Sequence, residues 1–134
     1  MSNTPAYDLI LYLVAHGFGT VGGNADWSLH DGGLPAEPLN TISLISTSGL
    51  PPDTDEQDIF QPGIQVITCG TVKNDAYEKQ EQVRELLIRN FPIITPTSLF
   101  TQIDLATDFL DLGKDTYQRY VWSSTYRTRR VLLT

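Results

Sequence analysis

The chain has 134 residues, of which 40% are hydrophobic and 19% are charged, with 16 acidic residues against 9 basic ones and a formal net charge of -7. This length suits one domain over residues 1–134 with an ordinary core, and the apolar fraction excludes a disordered chain. The isoelectric point near 4.5 argues against a protein that binds phosphate backbones strongly.

The chain begins with a predicted amphipathic helix. Asn3 or Thr4 can cap it, and Pro5 suits its first position, where a missing N–H loses no hydrogen bond. Apolar residues then recur at three- and four-residue spacing as far as Val14, and Gly17 ends the helix.

A glycine-rich stretch follows this helix. Gly17, Gly19 and Gly22 spell G-x-G-x-x-G, but the dinucleotide-binding fingerprint needs a strand before its glycines and a helix after them. Here a helix precedes the glycines, so we interpret the stretch as a helix cap and a loop. We predict no cofactor site.

Three extended segments come next. The first runs from Trp27 to His30, and the β-branched runs Asn40–Ser46 and Gly63–Thr71 predict two strands of one sheet. Residues 47–62 connect these two strands and contain three prolines, so we predict a projecting loop. The loop carries four carboxylates: Asp53, Asp55, Glu56 and Asp58.

These carboxylates allow two interpretations. They could gather around Ca²⁺ or Mg²⁺, but a calcium loop needs glycine at its sixth position and a bidentate carboxylate at its twelfth. The run DTDEQDIFQPGI supplies neither. We therefore favour a solvated or partner-facing acidic surface and predict no metal site.

A second helix and two strands complete the chain. Asn74 or Asp75 can cap a helix over residues 75–91, and Leu99–Leu112 is predicted as a strand. Leu99, Ile103 and Leu105 share one parity in that strand. The order is helix, three extended segments, helix and two strands, which predicts a single α+β domain with a largely antiparallel sheet and both helices packed on one face.

The last strand has two unlike faces. Its aromatic and basic residues are Arg119, Tyr120, Trp122, Tyr126, Arg127, Arg129 and Arg130. The three aromatic residues share one parity, and Arg119, Arg127 and Arg129 share the other. These residue types are enriched at protein interfaces, but they also suit an edge strand protected by charge. Stacking of single-stranded nucleic acid is a third interpretation, which the acidic remainder of the chain opposes.

Charge is divided unevenly along the chain. Residues 1–72 contain eight acidic and no basic residues, whereas residues 73–134 contain nine basic and eight acidic ones. This asymmetry favours a molecule whose acidic face meets the basic face of a neighbour, with a solvated acidic surface as the alternative. We predict that the four carboxylates form subunit or partner contacts together with Arg119, Trp122, Arg127, Arg129 and Arg130.

Catalytic motifs are missing from the sequence. His16, His30 and Cys69 show no metal-ligand spacing, and there is no G-x-S-x-G elbow, Walker loop or pair of metal-binding histidines. We assign no catalytic residue.

No apolar run approaches the ~18 residues of a membrane span, and the first ten residues lack the charged start of a signal peptide. We therefore expect a soluble protein made in a cytoplasm.

Taken in order, these segments resemble the tail-terminator and minor-capsid proteins of tailed bacteriophages. The likeness lies in a hydrophobic strand, Ile42–Ile45, then Gly49–Pro51–Pro52–Asp53, then the strand after Pro62, and then Ala76–Tyr77–Glu78–Lys79. It covers nearly the whole chain, although the polar run from Thr125 to Arg130 departs from the apolar strand end common in that family.

The resemblance implies a structural virion protein and no enzyme. Such a protein forms a ring, usually a hexamer, at the top of the tail tube, halts tube polymerisation and presents a surface to the head connector. The implied partners are further copies of the chain, the tube protein and the connector protein. An adaptor or minor component of the head–tail connector is the alternative, and a small metal-dependent enzyme or regulator built on the acidic loop is a third.

Overall fold

The computed structural model describes residues 3–21, 27–33, 40–50, 59–89 and 92–133. Within these ranges the chain forms two helices and a seven-stranded sheet. The helices are α1 (Pro5–Ala15) and α2 (Lys73–Arg89). The strands are β1 (Thr20–Val21), β2 (Ser28–Asp31), β3 (Thr41–Leu50), β4 (Ile59–Gly70), β5 (Ile93–Ile94), β6 (Ser98–Lys114) and β7 (Tyr120–Leu132).

The sheet has the strand order β1-β2-β3-β4-β7-β6-β5. The β1–β2 and β2–β3 pairs are parallel, and the remaining pairs are antiparallel. The sheet curls into half a barrel, and the single α+β domain with a mostly antiparallel sheet confirms the predicted fold class. The sequence pattern did not predict β1 and β5, because a strand of two residues has no periodicity to detect.

The start of α1 follows the predicted capping. The Thr4 hydroxyl accepts a hydrogen bond of 3.1 Å from the backbone N–H of Tyr7, and Pro5 occupies the first helical position. After the helix, Gly17 has a φ of 84°, a left-handed conformation that favours glycine over residues with a side chain.

Both helices pack against one face of the sheet, as predicted. The main hydrophobic core contains Leu9 and Leu13 of α1 and Val83 and Leu87 of α2. The sheet contributes Leu29, Ile42, Leu44, Ile64, Val66, Phe100, Ile103 and Tyr126. Burial of these side chains stabilises the fold, at roughly 1.5–3 kcal/mol for each large apolar residue.

A smaller cluster lies on the face opposite the helices. It consists of Ile67, Cys69 and Val121, with Ile45 packed against it. These residues alternate along their strands with core residues, which is the expected two-residue period of a β-strand. In β4 this division follows the alternation of residues along the sequence, with Ile64 and Val66 in the main core and Ile67 and Cys69 in the smaller cluster.

The prediction of a loop over residues 47–62 is wrong at both ends. Strand β3 continues to Leu50 and β4 begins at Ile59, so only residues 51–58 lie between them. Thr47 pairs with Gly63 and Leu50 with Gln61. Gly49 and Pro62 lie within these extensions, and because glycine and proline usually indicate a turn, they concealed the strand extensions.

Two local predictions also differ from the structure. Helix α2 begins at Lys73, before the predicted cap at Asn74 or Asp75. In β6, a register shift between Phe100 and Gln102 changes the parity, which puts Phe100 in the core with Ile103 and leaves Leu99 only half-buried. A β-bulge of this kind reverses the face of the residues beyond it. Residues 90 and 91, the end of the predicted second helix, lie outside the described residues.

Candidate interaction surface

The four predicted acidic contact residues, Asp53, Asp55, Glu56 and Asp58, lie outside the described residues. The strands on either side of their segment are described. Leu50 pairs with Gln61 of β4, and Ile59 pairs with Val131 of β7. The segment is therefore attached to the sheet beside the C-terminal half of β7.

Arg130 is enclosed within the chain. Its side chain is only 6% exposed and lies on the same face of the sheet as the helices. The guanidinium Nη2 is 2.9 Å from a carboxylate oxygen of Asp8 and donates a hydrogen bond of 2.6 Å to the backbone carbonyl of Asn3. Arg130 therefore holds the start of α1 against the sheet, and its charge is not presented to a neighbouring molecule.

Asp8 is the centre of this contact and is fully buried. Burial alone raises the pKa of its carboxyl, but hydrogen bonds from Ser98, Thr97, Asn3 and Arg130 outweigh burial and lower the pKa to about 2. The sequence offered no sign of this role, because Asp8 and Arg130 are 122 residues apart. An acidic residue in the first turn of a helix usually indicates only a favourable helix dipole.

Arg119 is also enclosed, at 1% exposure. Its guanidinium forms an ion pair with the carboxylate of Asp115 at 2.7 Å, and that carboxylate also accepts hydrogen bonds from the backbone N–H groups of Tyr117 and Arg119. Burial raises the pKa of Asp115, but the bonds from Arg119 and Tyr117 lower it further than burial raises it. The pair stabilises the turn between β6 and β7.

Trp122 lies on the helix side of the sheet, half-buried. Its ring packs against Tyr77 of α2 with 4.9 Å between ring centroids, and Tyr77 in turn meets Phe109 of β6 at 5.5 Å. The ammonium of Lys73 lies 5.9 Å from the Trp122 ring. Part of the aromatic surface of β7 therefore covers α2.

Arg127 and Arg129 are placed differently from Arg119 and Arg130. Arg127 is exposed and Arg129 is half-buried. Among the described residues, neither forms an ion pair. By strand alternation, Arg127 points away from the helices whereas Tyr126 points into the core. These two arginines are the predicted cationic contacts that remain available to another molecule.

An open groove of about 460 Å³ contains both arginines. Its polar lining includes Thr47, Gln61, Gln102, Thr125, Arg127 and Arg129. Asp104 is an acidic member of the lining, and its carboxylate accepts a hydrogen bond of 2.6 Å from the side-chain amide of Gln102. We call this surface the arginine groove. With two guanidiniums and one carboxylate, it suits an anionic or polar occupant.

The arginine groove is formed by strands that lie far apart in sequence. Thr47 belongs to β3, Gln61 to β4, Gln102 to β6 and Arg127 to β7. Gly63 pairs with Arg127 on one side, and Asp104 pairs with Arg127 on the other. The sequence predicted Arg127 and Arg129 as contacts, but the polar residues around them could not be found without the strand order.

Two described groups of the kinds that often carry catalysis, the Ser28 hydroxyl and the Cys69 thiol, are fully buried. The Ser28 hydroxyl lies 2.7 Å from Nε2 of His30, but Ser28 is fully buried and cannot meet a substrate. Burial lowers the pKa of His30 and raises the pKa of the Cys69 thiol, which is also fully buried. Among the described residues, no group of three or more His, Cys, Asp or Glu side chains can hold a metal ion.

Neither helix in the described ranges combines the length and the apolar character needed to cross a membrane. A scan against protein-family models finds none that matches the chain, and a search of curated proteins finds no match. The resemblance to phage proteins therefore stays a prediction.

Proposed function

We propose that this chain is a structural protein of a tailed-phage virion that forms a ring at the end of the tail tube. In this role it ends tube polymerisation and joins the tail to the head connector. The proposal rests on the ordered resemblance in the sequence. The structural observation that supports it is the arginine groove, a polar surface with two arginines that form no ion pair among the described residues.

Ring formation needs two unlike patches on each subunit. Identical subunits that meet head to tail close into a ring when their rotation closes, and a closed ring stops growth. The arginine groove provides a basic patch, and the acidic residues concentrated before Lys73 can provide the other. Complementary charge steers such contacts and fixes their register.

The net charge also suits a channel for DNA. A chain with a formal charge of -7 repels phosphate backbones overall, so DNA could pass through a ring of such subunits without being held. We expect the ring to be a hexamer on the basis of the resemblance. The expected location is the head–tail interface of the virion, after assembly in the host cytoplasm.

Electron microscopy of particles assembled without this protein tests the proposal. Over-long tails without attached heads support a terminator, because tube growth then has no stop. Tails of normal length without heads support the alternative role of a connector adaptor or minor capsid protein. Normal tails with heads attached contradict both roles.

Binding to tail tubes provides an independent test. Purified tubes should retain the chain in a pull-down, and the chain with Arg127→Glu and Arg129→Glu should bind at least about tenfold more weakly if the groove carries the contact. Glu78→Lys with Asp108→Lys is the control, because both residues are exposed and lie outside the groove. Binding that none of these substitutions changes would exclude the arginine groove from assembly of the ring on the tube.

A further inference from the structure

The arginine groove and the acidic segment are complementary parts of one molecule. Residues 53–58 contain four carboxylates within six residues. The groove contains two guanidiniums and the single carboxylate of Asp104, which the Gln102 amide already engages. We propose that the arginine groove binds residues 53–58 of a second copy of this chain. The inference rests on the proposed function and names the contact between neighbouring ring subunits.

The chemistry of the groove fits an acidic peptide. Guanidinium groups bind carboxylates through paired N–H donors, which gives both affinity and a defined orientation. Gln61, Gln102 and Thr125 add neutral side chains that can donate to carboxylate or backbone oxygens. The groove is an open surface, so an occupant can enter it without unfolding the subunit.

The acidic segment is attached to the sheet at one end of the groove. The groove extends along β4 from Gly63, which pairs with Arg127, to Gln61. Leu50, on one side of the segment, pairs with Gln61. Ile59, on the other side, pairs with Val131, two residues beyond the groove residue Arg129. In a head-to-tail ring, the next subunit can meet the segment at this end of the groove.

A charge-swap experiment tests the contact in solution. One variant, Arg127→Glu with Arg129→Glu, reverses the charge of the groove, and the other, Asp55→Lys with Glu56→Lys, brings the net charge of residues 53–58 from -4 to zero. The first variant alone brings like charges together and the second loses the attraction to the groove, so we expect the self-association of each to weaken about 30-fold or more relative to the natural chain. Mixing the two variants pairs the unchanged groove of one with the unchanged segment of the other and should restore association. Sedimentation velocity over a range of concentrations up to about millimolar measures all three.

The natural chain distinguishes a neighbouring copy from the same chain. If the segment occupies its own groove, the natural chain associates no more strongly than either variant, and the proposal is wrong. A natural chain that stays monomeric throughout also overturns it, as does a mixture that associates no more strongly than either variant alone. The control Glu78→Lys with Asp108→Lys makes the same charge change as the segment variant and should associate like the natural chain.

Disulfide trapping tests the same contact without changing any charge, so its result does not depend on whether the charge variants fold. The only cysteine, Cys69, is buried, so introduced cysteines supply the reactive thiols. Gln57→Cys with Gln102→Cys should form cross-linked dimers and larger species on mild oxidation with diamide. Gln57→Cys with Gln82→Cys is the control, because Gln82 is exposed on α2 outside the groove. A cross-link formed only within one chain, or equal cross-linking of both variants, overturns the proposal.

These outcomes are separate from those of the proposed function. A groove that does not bind the segment leaves the tail-length experiment unaffected, because another pair of patches can close a ring. Conversely, normal tails in particles lacking the protein remove the phage role even if the groove and the segment bind each other. The two results together show which of the two statements fails.

Discussion

Two arginines of β7, three residues apart, have opposite environments. Arg130 lies on the helix side, 6% exposed, with its guanidinium against the carboxylate of Asp8. Arg127 points to the other face, is exposed and lines the arginine groove. An odd spacing along a strand puts two side chains on opposite faces. The comparison teaches that strand parity, and not residue type, decides which arginine holds the fold and which can bind another molecule.

The free-energy cost of burying a charge explains why Arg130 is surrounded by partners within the chain whereas Arg127 is not. A guanidinium taken out of water needs an opposite charge and hydrogen bonds to compensate for lost hydration. Around Arg130, Asp8 and the carbonyl of Asn3 supply them. Arg127 keeps its hydration and needs no such partner, so its charge can be used in a contact.

The largest expected effect on stability comes from breaking the buried ion pair between Arg130 and Asp8. Arg130→Met leaves the buried carboxylate of Asp8 without its countercharge, so we expect the free energy of unfolding to fall by about 3–5 kcal/mol. Urea denaturation followed by circular dichroism measures the loss. A change below about 1 kcal/mol would show that Asp8 finds compensation elsewhere and that Arg130 does not hold the fold.

Acid titration should weaken the same contact without mutation. The pKa of Asp8 is about 2 in the folded chain against 3.8 for an ordinary Asp. A lowered pKa gives stability that is complete above about pH 5 and is lost as the pH falls through 3.8 towards 2. The expected contribution is about 2 kcal/mol.

Urea denaturation at several pH values between 7 and 3 checks this expectation. Asp8→Asn should flatten the acid side of the profile relative to the natural chain, because the titrating group is gone. The pKa values of Asp111 and Asp115 are also lowered, mainly through bonds from Lys73 to Asp111 and from Arg119 to Asp115 that outweigh any effect of burial. Some acid dependence therefore remains in the variant, and identical profiles for both proteins contradict the assignment to Asp8.

Replacing Gln80, a buried polar residue without charge, is expected to lower the free energy of unfolding by a smaller amount. The Gln80 amide donates to the carbonyls of Val66 and Trp122 at 2.9 and 3.0 Å and accepts from the Ser124 hydroxyl at 2.7 Å. Gln80→Leu leaves these groups without their partner, and we expect a loss of about 2 kcal/mol. Gln82→Leu, on the exposed side of the same helix, should change stability by less than about 0.5 kcal/mol. Equal losses for the two variants contradict a structural role for Gln80.

Local signals in the sequence predicted much of the fold. The cap at Thr4, the apolar spacing of α1 and the alternation in β4 each depend on residues close together in the chain. Short-range sterics and hydrogen bonding decide such features, so a pattern can reveal them. The register shift after Phe100 in β6 had no such signal, because a bulge depends on how neighbouring strands align.

The candidate site was less predictable than the fold. Parity distinguished Arg127 from the aromatic face, but it could not show that Arg119 and Arg130 have partners inside the chain. The Arg130 partner comes from the first turn of α1, and the groove residues Gln61 and Gln102 meet only because β4 and β6 flank β7. Such long-range pairings follow from topology, which residue spacing does not encode.

The smallest effect on stability is expected at the exposed arginine, and it provides the control for the largest. Arg127→Met makes the same chemical change as Arg130→Met but removes a side chain that forms no ion pair among the described residues. We expect the free energy of unfolding to change by less than about 0.5 kcal/mol in urea denaturation. A loss above about 1 kcal/mol would mean that Arg127 supports the sheet itself. Its effects on assembly would then be explained by instability rather than by a lost contact.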